Sequence, residues 1–175
     1  MIKTILVPTD GSDHAVKAAT LAADIAGKYG AKLVFLHVLP HGPLPPALEH
    51  MAEVEHLVPG RKAGTVSSTV GTARVAIPVT EPSNKENNAR QVYEAIAEKL
   101  LADAESIARK QGVRQFEKIT EDGDPAKRII EQARKCQANL IVMGSRGLSD
   151  LKGLLMGSVS HKVSHLAECS CITVR

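Results

Sequence analysis

Short runs of aliphatic and β-branched residues alternate along this chain with longer segments whose apolar positions recur at helical spacing. That is the pattern of a parallel sheet with helices on both faces. Lys3 to Val7 predicts a first strand. Ser12 stands where a helix N-cap is wanted, and Ala15, Ala18, Ala19, Ala22, Ile25 and Ala26 form one stripe ending before Gly30. A stripe built of alanine implies close contact between helix and sheet. Lys32 to Val38 predicts the second strand, nearly continuous in Leu33, Val34, Phe35, Leu36 and Val38, as burial on both faces requires. A second helix, from about Asn88 to Lys110, follows from Val92, Ile96, Leu100, Ala104 and Ile107 and is closed by Gly112. Phe116 to Thr120 is the third strand. Asp124-Pro125 reads as an N-cap and a proline in the first turn of a third helix, with Ala126, Ile129, Ile130 and Ala133 inward. Leu140 to Met143 is the fourth strand. The last helix opens near Gly157-Ser158 with Val159, Val163 and Leu166 inward, and Ile172 to Val174 makes a fifth strand.

Between about residues 40 and 89 the alternation stops. Pro40, Pro43, Pro45, Pro46, Pro59, Pro78 and Pro82 punctuate a stretch rich in Ser, Thr, Gly and Asn, which reads as an irregular insertion. Leu48, Met51, Ala52 and Glu55 allow a short helix in it, and Thr65 to Val79 a hairpin. With 175 residues, 43% of them hydrophobic, the chain can fill one core and is too short for two ordinary domains. A single domain over 1–175 carrying this insertion is expected.

Charge and composition exclude several classes. The balance of 22 Lys+Arg against 19 Asp+Glu leaves a net +3, dispersed along the chain, so neither a nucleic-acid nor a membrane partner is expected. Two Phe, two Tyr and no Trp argue against aromatic platforms for single-stranded nucleic acid. Any base must be held by backbone groups and aliphatic side chains. Cys136, Cys169 and Cys171 have no zinc-site spacing, and their odd number suggests reduced thiols in a cytoplasm. His41, His50 and His56 likewise lack ligand spacing and read as exposed loop residues, so no metal site is assigned.

The candidate chemistry lies after the fourth strand. Gly144-Ser145-Arg146-Gly147 follows it directly, and after nine intervening residues Gly157-Ser158 stands at a helix start. A glycine-rich turn delivering the chain to a helix N-terminus binds phosphate, because backbone N–H groups converge there without a Cβ in the way. The glycines have a plain structural alternative as turn residues of positive φ. Arg146, at the loop tip, could reach a terminal phosphate.

This spacing, together with Val7-Pro8-Thr9-Asp10-Gly11-Ser12, resembles the universal stress protein family in its ATP-binding branch, over residues 2 to 39 and 90 to 174. The resemblance implies a doubly wound α/β domain with a five-stranded parallel sheet of order 3-2-1-4-5. It also implies an ATP site, with or without Mg2+, at the carboxyl ends of the strands. Carried over by position, Val38 would recognise adenine through its backbone, with Pro8, Thr9 and Met143 shaping the pocket. Asp10 would accept from ribose hydroxyls or meet a phosphate-bound metal. Gly144 and Gly147 would admit ribose and phosphates, and Gly157, Ser158, Val159 and Ser160 would meet the phosphate tail with N–H groups and hydroxyls. A homodimer through the last strand is implied as well; where the family commonly has a proline before that strand, this chain has Cys169-Ser170-Cys171.

No P-loop, no Gly-x-Gly-x-x-Gly after the first strand and no paired carboxylates accompany the motif. An ATP-binding stress-response regulator without catalytic residues is therefore the expectation. The alternatives are a slow metal-dependent ATP hydrolase working through Asp10, and an interaction module with no bound nucleotide.

Overall fold

The computed structural model places strands β1 (Thr4–Pro8), β2 (Lys32–Leu39), β3 (Phe116–Asp122), β4 (Leu140–Gly144) and β5 (Ser170–Val174) in one sheet. All pairs are parallel, in the order β3-β2-β1-β4-β5. The helices are α1 (Asp13–Tyr29), α2 (Pro82–Lys110), α3 (Pro125–Lys135) and α4 (Ser158–Leu166). The structure describes residues 1–39, 82–148 and 156–175, with the side chains of α2 described from Arg90 onward. The short helix and the hairpin expected within 48–79 lie outside the described residues.

The chain divides into two compact units, Met1–Gly42 with Ala97–Arg175, and Pro43–Ile96. The described part of the second is the first half of α2, which starts at Pro82 rather than near Asn88. Proline suits a first helical turn, so the helix begins where the periodicity is not yet visible. All five strands belong to the first unit.

Period-two alternation sorts the strand residues onto two faces. Ile5, Val7, Leu33, Phe35, Leu140 and Val142 pack with the α1 alanines and with Leu101, Ala104 and Ala108 of α2. Leu6, Val34, Leu36, Ile141 and Met143 pack with Ala126, Ile129 and Ala133 of α3 and Val163 of α4. Helix α1 buries Ala15, Ala18, Ala19, Ala22, Ala23 and Ala26, so Ala23 joins the expected stripe while Ile25 only borders it. Its Ser12 cap accepts from the Ala15 N–H at 3.3 Å, and Gly30 closes it at φ 65°. Leu166, expected inward, is 56% exposed. Helix α4 ends there, and Ala167, four residues after the fully buried Val163, packs on the cluster instead. Strands β3 and β5 each extend two residues beyond their expected spans. Among the described residues no helix is long and apolar enough to cross a membrane.

The order of strands positions the site. From β1 the chain passes through α1 to β2 on one side, whereas from β4 it passes through α4 to β5 on the other. The loops after β1 and β4 therefore part in opposite directions and leave a crevice above their carboxyl ends.

Candidate functional site

A cavity of about 250 Å³ occupies that crevice. Pro8, Thr9 and Asp10 reach it from β1, Val38 from β2, Met143, Gly144, Arg146 and Gly147 from β4, and Gly157, Ser158, Val159 and Ser160 from the start of α4. All twelve residues expected at the site thus line one cavity. Ala15, Leu36, Pro125, Ile129 and Leu148 also line it and were not anticipated. Leu36 was legible as the same-face neighbour of Val38. Pro125 and Ile129 arrive only because the sheet order carries α3 across the crevice.

The loop after β1 is set by Asp10. Its Oδ1 accepts from the Ser12 N–H at 3.0 Å and the Ser12 hydroxyl at 2.7 Å, and its Oδ2 accepts from the Leu148 N–H at 3.2 Å. One carboxylate thereby fastens the β1–α1 loop to the glycine loop. Gly147 is required by this arrangement, because a Cβ there would collide with Asp10 Oδ2. A Cβ on Gly144 would lie 3.0 Å from Ala15 N, His14 C and Arg146 O, so Gly144 lets the glycine loop close on the start of α1. Neither has positive φ; among the described glycines that conformation belongs to Gly11, Gly30, Gly112 and Gly123. The turn-glycine explanation fails for this motif, and at Gly144 and Gly147 contacts within the protein already call for a residue without a Cβ.

Gly157 differs. Its φ of −75° suits any residue, and the nearest described atoms to an added Cβ are 3.5 Å away, an ordinary contact. As N-cap of α4 it provides no side-chain hydrogen bond to the first turn, whose N–H groups at Ser158, Val159 and Ser160 have no intrahelical acceptor. The Gly157 N–H itself is taken by the Ser145 carbonyl at 2.7 Å. Ser160 corrects an expectation: its hydroxyl, 2.7 Å from the Ser145 carbonyl and 3.0 Å from that of Gly157, donates into the protein, so Ser160 offers the cavity its N–H and not its hydroxyl. Ser158 is exposed and Arg146 half-buried at the rim.

Ser145, quoted in the motif but given no role, turns out to be the hub of this segment. It is 2% exposed; besides the two carbonyl bonds, its N–H donates to Val174 O at 2.7 Å and its hydroxyl lies 3.0 Å from His14 Nδ1.

At the far end, residues of β2 alternate between neighbours. Leu36 O accepts from Thr9 N–H and Lys32 N–H donates to Lys3 O, whereas Leu33 N–H donates to Gln115 O beside β3. Val38, two residues past Leu36, therefore turns its N–H and C=O toward the β1 side, where β1 has ended at Pro8. Among the described residues no backbone group pairs with them there. Thr9, the next acceptor in line, is claimed by His37, whose Nδ1 lies 2.8 Å from its carbonyl and must donate to it. His37 is 4% exposed, and burial holds its pKa below the ordinary value, against the smaller opposing pulls of the Thr9 bond and the Asp10 charge.

An aliphatic floor, exposed strand-end amide groups and an uncapped helix N-terminus thus share one cavity. The universal stress protein family model matches this sequence over residues 1–175. The chain belongs to the universal stress protein family. Universal stress protein YxiE of Bacillus subtilis is 35% identical over 176 residues, covering 100% of both chains. A universal stress protein solved in complex with cAMP superposes with a TM-score of 0.63 at 23% identity, covering 99% of this chain and 97% of that one. The universal stress protein of Archaeoglobus fulgidus in complex with dAMP gives 0.60 at 20% identity, covering 100% and 98%. The solved universal stress proteins share the fold described above.

Proposed function

We propose that this universal stress protein binds ATP in the cavity and acts as a nucleotide-loaded regulator of the stress response. Adenine lies on the aliphatic floor of Pro8, Leu36, Ile129 and Met143 and is read by the backbone of Val38. Asp10, with acceptor capacity left at Oδ2, faces the ribose, and the phosphates meet the first-turn N–H groups of α4. The observation that carries this reading is Gly157, a glycine on the cavity wall that neither backbone conformation nor packing among the described residues demands. Close approach of a ligand to the backbone accounts for it. Adenine nucleotides in two solved universal stress proteins, one with cAMP and one with dAMP, support the choice of base.

Asp10 is the one carboxylate among the described lining residues, and it is engaged by Ser12 and Leu148. Such a donor set is too poor to build a magnesium site, so any Mg2+ is carried by the phosphates of the nucleotide. For the same reason Asp10 does not serve as a free base, and turnover stays below about 0.01 per second, far under the 1 to 1000 per second typical of enzymes. The outer edge of β5 is the surface for a homodimer, and the setting is the cytoplasm.

The test is mass spectrometry of nucleotide released from denatured purified protein, followed by ATP calorimetry on Gly157→Val. A branched side chain at 157 blocks the approach and removes about two hydrogen bonds to a charged group, roughly a hundredfold in affinity. Unchanged ATP affinity in folded Gly157→Val refutes the assignment. Phosphate release above about 1 per second that vanishes in Asp10→Asn while affinity is retained makes the protein an enzyme.

A further inference from the structure

We propose that His37 is a positioning residue for base recognition: by donating to the Thr9 carbonyl it ends the β1–β2 pairing one step early and leaves the Val38 N–H for the ligand. This inference rests on the nucleotide reading above. In a parallel pair the residue two beyond a bonded one makes the next bonds, so after Leu36 O takes the Thr9 N–H, the Val38 N–H would go to Thr9 O. That oxygen already receives the His37 ring at 2.8 Å, from a side chain 4% exposed and held between strand ends. Thr9 is itself 9% exposed, so without His37 its carbonyl would need another donor. Val38 N–H is the nearest in register. A purine edge presenting an acceptor beside a donor, as adenine does and guanine does not in the same order, matches the released Val38 N–H and C=O. His37 thereby sets adenine over guanine without touching either base.

Calorimetry of ATP and GTP with the unmodified protein, His37→Leu and His37→Asn tests this. The asparagine amide can occupy the place of Nδ1 and keep the bond to Thr9; leucine cannot. Expected is an ATP preference in the unmodified protein, a loss of roughly three- to tenfold in ATP affinity with GTP unchanged in His37→Leu, and an unaltered ratio in His37→Asn. A general loss of structure would lower both nucleotides together. Should His37→Leu not fold, amide exchange in the unmodified protein decides. Val38 N–H must then exchange faster than Leu36 N–H without ligand and slow down with adenosine. The inference is overturned by a folded His37→Leu with the original ATP-to-GTP ratio, by His37→Asn behaving like His37→Leu, or by a slowly exchanging Val38 amide without ligand. Equal binding of ATP and GTP overturns it and leaves nucleotide binding standing, whereas binding of neither refutes the nucleotide reading itself.

Discussion

Gly144 and Gly157 belong to one motif, and substituting alanine at each should give opposite results. At Gly144 the new Cβ would lie 3.0 Å from three backbone atoms, Ala15 N and His14 C in the first turn of α1 and Arg146 O in the loop. Ordinary carbon contacts begin about half an ångström farther out, and backbone held by the Ser12 cap and by strand β4 cannot rotate away as a side chain tip can. Overpacking of this kind costs about 1–3 kcal/mol. In a chain of this size each kcal/mol lowers Tm by roughly 2–4 °C, so Gly144→Ala should melt roughly 2–12 °C below the unmodified protein. At Gly157 the nearest described atoms are at 3.5 Å and φ is −75°, so alanine fits and only a cap preference of a few tenths to about 1 kcal/mol is lost. Its ATP affinity, however, should fall about tenfold or more as one charged hydrogen bond is lost. Urea denaturation and scanning calorimetry of both variants, with ATP titration alongside, give the four numbers needed. Gly144→Ala melting within about 1 °C of the unmodified protein, or Gly157→Ala the less stable of the two, would refute the division of labour between these glycines.

His37 makes stability depend on pH. Because its folded pKa lies below the unfolded value near 6.5, the unfolded chain takes up the proton first, so its contribution is complete above about pH 6.5 and is lost as pH falls. His37→Asn, which does not titrate, should flatten the loss between about pH 7 and 5.5 in urea melts; an unchanged slope excludes His37 as the source. Asp124→Ala removes the cap that accepts the Lys127 N–H at 2.8 Å and should cost about 1 kcal/mol, measured as a shift in urea midpoint. Asp10→Asn leaves one oxygen to serve both Ser12 and Leu148, so one donor faces the new amide. A loss of about 1.5–3 kcal/mol in stability, together with weaker ATP binding, is expected from denaturation and calorimetry.

The alternation of β-branched runs and helical stripes determined the strands, the helices and the fold class, because each element carries its own period and its own caps. Ser12, Gly30 and Asp124-Pro125 mark ends that the structure reproduces, since capping is a matter of neighbouring residues and backbone geometry. The twelve residues now found lining the cavity were legible for a similar reason: they sit at strand ends and at one helix start, and their spacing survives without knowledge of the packing. What each one does there was decided elsewhere. Gly144 and Gly147 are glycines because α1 and the Asp10 carboxylate, more than a hundred residues away in sequence, come against them. Ser160 lines the cavity with its hydroxyl turned inward because the Ser145 carbonyl stands 2.7 Å away, and Leu166 faces solvent because α4 stops at its position. Pro125 and Ile129 join the site only because β3 lies at one edge and β4 across the crevice, so α3 must span it. Periods and caps are local and can be read along the chain; which atom fills the space beside a glycine, or which carbonyl a histidine claims, is a contact between distant segments, and only the assembled sheet brings them together.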